Sequence, residues 1–88
     1  MAKIKVKNNE QCRLKFTHIR GGEAELDVMM NPLTGDWLET HKYNGMETSY
    51  YVSKATAVGL VNNIVDKSKE KGLPCVVTIE PRKLLPDL

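Results

Sequence analysis

Trp37-Leu38-Glu39-Thr40-His41-Lys42-Tyr43-Asn44-Gly45-Met46-Glu47-Thr48-Ser49-Tyr50-Tyr51-Val52 is the stretch on which the fold turns. Asn44-Gly45 lies between two β-prone runs. Both central residues of a type I′ turn need positive φ, which Asn and Gly adopt at the least cost, so the pair predicts a two-residue hairpin. That turn sets the pairing: Tyr43 opposite Met46, His41 opposite Thr48, Glu39 opposite Tyr50 and Trp37 opposite Val52. Side chains alternate along a strand, so these residues share one face. Leu38, Thr40, Lys42, Glu47, Ser49 and Tyr51 share the other. The hairpin holds the only Trp and all three Tyr of the chain, yet neither face is cleanly apolar or cleanly polar.

Upstream, the chain reads as more antiparallel strands. Lys3 to Lys7 alternates strictly, with Ile4 and Val6 on one side and lysines on the other, and Asn8-Asn9-Glu10 breaks it. Cys12 to His18 alternates again, with Cys12, Leu14 and Phe16 inward. Arg20-Gly21-Gly22 turns the chain into Ala24 to Met30, whose inward residues are Ala24, Leu26, Val28 and Met30. A three-residue loop centred on Gly21 would set Phe16 against Leu26 and Leu14 against Val28. Asn31-Pro32-Leu33-Thr34-Gly35-Asp36 is the next reversal, with Pro presetting φ early and Gly late.

Downstream comes one helix, 54 to 71. Ser53 is a good N-cap, and Gly72 suits a left-handed C-cap behind Lys67, Lys69 and Lys71. Ala57, Val58, Leu60, Val61, Ile64, Val65 and Ser68 fall on one arc at about 100° per residue. Cys75 to Glu80 is a final strand stopped by Pro81. The order βββββαβ predicts an α+β fold: a five-stranded antiparallel meander, a helix packed across one face and a C-terminal strand. That last strand should run parallel to the first and the fifth. Residues 1–81 form one domain, and 82–88, with Leu84, Leu85 and Leu88, a short tail.

Eighty-eight residues allow one core. A hydrophobic fraction of 41 % and a charged fraction of 27 % are those of an ordinary soluble globule. The formal charge of +2 is too small to argue for nucleic acid by itself. Two cysteines, no signal-peptide pattern at the first residues and no run of about 20 apolar residues point to a reduced, cytoplasmic protein complete in itself, with no membrane contact.

Several constellations could carry chemistry. Lys3, Lys5, Lys7, Arg13 and Lys15 point outward from two adjacent expected strands, a basic face able to grip phosphates. Glu23, Glu25 and Asp27 point to the same side, so ordinary cross-strand pairing competes with that reading. Cys12, His18, His41 and Cys75 are zinc-ligand types without zinc-ligand spacing, and no metal or cofactor is expected. No nucleophile elbow, phosphate loop or paired acidic motif is present, so no enzyme is expected. Glu39 and His41 are the one acid–imidazole pair worth naming.

The hairpin face with Trp37, Glu39, His41, Tyr43, Met46 and Tyr50 is the main candidate. Under the helix it is core, and its two ionisable groups must be paired or near the rim. Facing solvent, it has the composition of a protein interface or of a platform for stacked bases. A one-residue slip in the 31–36 loop exchanges the two faces. The pattern reads as core at the Trp37 end and exposure at the Tyr43 turn. The leading expectation is a small non-enzymatic binding or regulatory protein acting on another protein or on itself, including as a homodimer. The second is a nucleic-acid module using the basic strands with aromatic stacking.

Overall fold

A computed structural model describes residues 3–82. The strands are β1 (Glu10–Thr17), β2 (Glu23–Met30), β3 (Trp37–Tyr43), β4 (Met46–Val52) and β5 (Cys75–Pro81), and the helix α1 is Lys54–Lys71. They form one five-stranded sheet in the order β4-β3-β2-β1-β5 with every neighbouring pair antiparallel. The α+β class, the antiparallel meander, the helix after the hairpin and the C-terminal strand are all as expected.

The expected first strand is replaced. Lys3–Lys7 pairs with no strand, and the meander proper is β1 to β4. The place beside β1 belongs to β5, which runs in the same direction as β4. Val6 is buried and Ile4 packs against the core, so the alternation of this segment reports a buried side without a strand partner. Helix side chain Asn62 serves its backbone instead: Ile4 N donates to Asn62 Oδ1 at 2.8 Å, and Asn62 Nδ2 donates to Ile4 O at 3.1 Å.

The helix ends are the expected ones. Ser53 Oγ accepts from Thr56 N at 3.2 Å, satisfying a donor left over at the helix start. Gly72, at φ 68°, turns the chain out. Ala57, Val61 and Ser68 are buried, and Val58, Leu60, Ile64 and Val65 flank them. Against this stripe the sheet sets Cys12, Leu14, Leu26, Val28 and Trp37, which with Val6 make the core. At about 1.5 Å per residue α1 runs roughly 27 Å, longer than the ~19 Å between the outer strands of a five-stranded sheet. One helix therefore carries the chain from one edge to the other.

The β1–β2 register also differs from the expected one, by two residues. Leu14 faces Leu26, Cys12 faces Val28 and Phe16 faces Ala24. His18 N donates to Gly22 O at 2.9 Å, and positive φ at both Gly21 and Gly22 centres the reversal on Arg20. A shift of two preserves which residues face inward, so the core is unaffected. The tail 83–88, with Leu84, Leu85 and Leu88, lies outside the described residues. No helix among the described residues is long and apolar enough to cross a membrane.

Candidate protein-binding surface

The β3–β4 hairpin pairs as the Asn44-Gly45 turn requires: Tyr43 with Met46, His41 with Thr48, Glu39 with Tyr50, Trp37 with Val52. Asn44 has φ 54° and Gly45 φ 78°, the signs of a type I′ turn. The 31–36 loop then decides the face. Asn31 N donates to Asp36 O at 2.7 Å, Gly35 N to Asn31 O at 2.8 Å and Leu33 N to Asn31 Oδ1 at 3.0 Å. This closure sets Met30 against Trp37 and Val28 against Glu39. Trp37 and Glu39 therefore join the helix-covered face.

Exposure rises along that face toward the turn. Trp37 and Glu39 are each 1 % exposed, Tyr50 46 % and Met46 72 %. Lys54 Nζ lies 5.8 Å from the Trp37 ring centre, within cation–π range. Glu39 is a carboxylate among apolar neighbours, and His41 meets it: His41 Nε2 is 2.9 Å from Glu39 Oε1. A protonated Nε2 donates to that oxygen. The Tyr50 hydroxyl oxygen is 3.0 Å from the same nitrogen, and the two rings stack at 5.3 Å. Glu39 Oε2 is buried with no partner among the described residues. Burial first, then hydrogen bonding to the Glu39 carboxylate and its charge, pushes the Tyr50 phenol up.

At the turn, Tyr43 stacks on His18 at 4.3 Å and donates its hydroxyl hydrogen to Gly21 O at 2.9 Å. This pins the β3–β4 turn to the β1–β2 turn. The candidate hairpin residues thus divide. Trp37 and Glu39 are core, His41 and Tyr43 are half-buried and held by partners, and Met46 and Tyr50 remain exposed.

The expected basic face divides as well. Lys3, Lys5 and Lys7 are exposed but lie off the sheet, so they do not extend the row of Arg13 and Lys15. On the face away from the helix, Arg13 lies between Asp27 (3.8 Å) and Glu80 (3.5 Å). Lys15, Glu25, Lys42 and Glu47 follow one another across four strands with alternating sign, and Lys42 is 3.4 Å from Glu47. An open groove of about 370 Å³ along this face is lined by Arg13, Lys15 and Lys42, but also by Glu25, Asp27, Glu47 and Glu80. Gln11 Nε2 donates to both oxygens of Asp27 at 2.9 and 2.8 Å. Burial still holds the Asp27 carboxyl above its ordinary value, with Gln11 and Arg13 opposing it.

The cysteines are not poised for chemistry. Burial, reinforced by nearby Asp27, Cys75 and Glu10, pushes the Cys12 thiol up to about 11. A thiol that far above neutrality is a poor nucleophile. Both cysteines are free, and no group of three or more His, Cys, Asp or Glu among the described residues could hold a metal ion.

What the sequence pattern could not show is the edge of β4. Met46 to Tyr51 are exposed throughout and Val52 is half-buried. In a two-residue hairpin the closing pair exchanges both backbone bonds, and bonded pairs then alternate. Tyr43–Met46, His41–Thr48, Glu39–Tyr50 and Trp37–Val52 are the bonded pairs. The N–H and C=O groups of Glu47, Ser49 and Tyr51 accordingly point away from β3, and no strand among the described residues lies beyond them.

Comparison with protein-family models, with curated proteins and with solved structures finds no match.

Proposed function

We propose that this chain is a small non-enzymatic binding protein that works through protein–protein contact, taking an extended partner along the outer edge of β4. One observation carries the reading: the outward backbone groups of Glu47, Ser49 and Tyr51 sit on an exposed strand flanked by Met46, Tyr50 and Tyr51. A free edge offers a partner strand its main-chain bonds, and the flanking side chains supply selectivity. The two free cysteines fit a cytoplasmic setting. The nucleic-acid reading has less support, because the cations of the open sheet face alternate with carboxylates.

Selection of extended peptides from a displayed library, at protein concentrations too low for self-association, tests the proposal. Binders should slow hydrogen exchange at the amides of Glu47, Ser49 and Tyr51, and Ser49→Pro should abolish their binding. Ser49 N–H is not used in the β3 ladder, so that variant keeps the hairpin. The reading falls if nothing is enriched and these amides also stay unprotected at high protein concentration.

A further inference from the structure

We infer that the strand received by β4 is β4 of a second copy, paired antiparallel about a two-fold axis at Ser49. This rests on the proposed use of the β4 edge and names its occupant.

Hydrogen-bond phase comes first. Outward groups occur at Glu47, Ser49 and Tyr51, and an antiparallel mate must present its own outward groups at the same spacing. A two-fold axis through Ser49 does this: Ser49 meets Ser49 of the other copy, and Glu47 meets Tyr51 in both directions. Every outward group on the strand then finds a partner. Centring the axis on Glu47 would place two carboxylates opposite each other, and centring it on Tyr51 would leave Glu47 beyond the overlap. Ser49 is also the middle of the seven-residue strand Met46–Val52.

Side chains agree with this register. Glu47 is the only charged residue of β4. With the axis at Ser49 it lies beside an uncharged ring, and its own Lys42 stays 3.4 Å away. On the helix side Met46 faces Val52 and Tyr50 faces Thr48 of the other copy. Those are the non-bonded positions, where side chains approach most closely. Met46 at 72 % and Tyr50 at 46 % exposure are the apolar surface such pairing would cover.

The opposite edge does not offer the same match. Thr17 N donates to Pro74 O at 3.2 Å and Arg82 N to Asn9 O at 2.8 Å, fixing the phase of β5 on β1. The outward residues of β5 are then Cys75, Val77, Ile79 and Pro81, and Pro81 has no N–H to give. Proline at an edge is a usual guard against strand addition. No proline or lysine guards β4.

Seven residues per strand make a small interface, so pairing should depend on concentration. Sedimentation equilibrium of the full chain, with residue-resolved amide exchange across the same concentrations, reads it out. A monomer–dimer equilibrium is expected, with exchange at Glu47, Ser49 and Tyr51 slowing at least tenfold from dilute to concentrated samples while Val77 and Ile79 stay unchanged. Ser49→Lys, which brings like charges together on the axis, should leave a monomer throughout. Val76→Glu, on β5 opposite Lys15, should dimerise like the parent. A monomer at all concentrations, a dimer that protects β5, or a dimer indifferent to Ser49→Lys overturns the inference. In any of these cases, peptides that still protect the β4 amides leave the binding reading standing, which separates the two failures.

Discussion

The same five strands present two faces that handle charge in opposite ways. On the helix side one carboxylate, Glu39, is buried among Trp37, Val28 and Leu26 and is met by the half-buried imidazole of His41. On the open side cations and carboxylates alternate laterally, as in Lys15, Glu25, Lys42 and Glu47, and water shares the work. Exposed pairs of that kind contribute about 0–1 kcal/mol each, whereas an unpartnered buried group costs about 1–3 kcal/mol. The first face relies on a single imidazole, which leaves Glu39 Oε2 without a hydrogen bond among the described residues, and the second relies on neighbours in the sheet and on water. The β4 edge differs again, because its outward groups belong to the backbone, are open to water and have no strand beside them among the described residues.

Substitutions can break or sharpen this contrast, and the largest effect belongs to the covered face. Trp37→Ala removes the largest fully buried side chain and should cost about 3–5 kcal/mol in urea unfolding. A loss below about 1 kcal/mol would mean that the ring does not hold the hairpin to the helix.

The next effect is a pH window on the same face. The Cys12 thiol is held protonated in the folded state, about 11 against 9.0 for the free group. Between those values the unfolded chain binds fewer protons than the folded one, so stability falls as pH rises. The contribution is present below pH 9.0 and lost by about 11, of order 2–3 kcal/mol at about 1.4 kcal/mol per unit. Cys12→Ala should flatten the slope there. The raised Tyr50 and Cys75 act in the same sense and leave a residual slope in the variant. An unchanged slope would show that Cys12 titrates as if solvated.

His41→Ala comes third. It strips Glu39 Oε1 of the imidazole and should cost about 1–3 kcal/mol. Smallest is Lys42→Ala on the open face, expected to change the unfolding free energy by less than about 0.5 kcal/mol, an effect that shrinks as salt is added. Should Lys42→Ala rival His41→Ala, the contrast between the faces would collapse.

Much of this architecture was legible where one residue type has one physical use. Asn44-Gly45 carried the hairpin pairing, and Ser53 with Gly72 carried the helix ends, because positive φ and orphan N–H groups admit few alternatives. Which hairpin face is buried was not legible. It hangs on the hydrogen bonds of Asn31 and Gly35, and loops do not advertise their closure in hydrophobic pattern. Lys3–Lys7 misled for a related reason. Alternation reports a buried side, and Ile4 and Val6 do pack on the core, but the backbone partner is Asn62 rather than a strand. The candidate surface was half legible. The aromatic residues stood out, while the edge depends on strand order, which no local pattern encodes.

One feature of that strand order bears on how the molecule is made. β1 to β4 are joined by short turns and can pair as they leave the ribosome, but β1 waits for β5, the last strand of the sheet. Closing a loop of that span is slow relative to forming a hairpin. A growing chain therefore carries open edges at both β1 and β4 until synthesis passes residue 81. During that interval the backbone of Gln11, Arg13 and Lys15 is as available as that of Ser49. Arrest of translation before residue 75 would yield a species with both edges open and prone to pair at either side, where the finished fold has β5 on β1 and Pro81 among its outward positions.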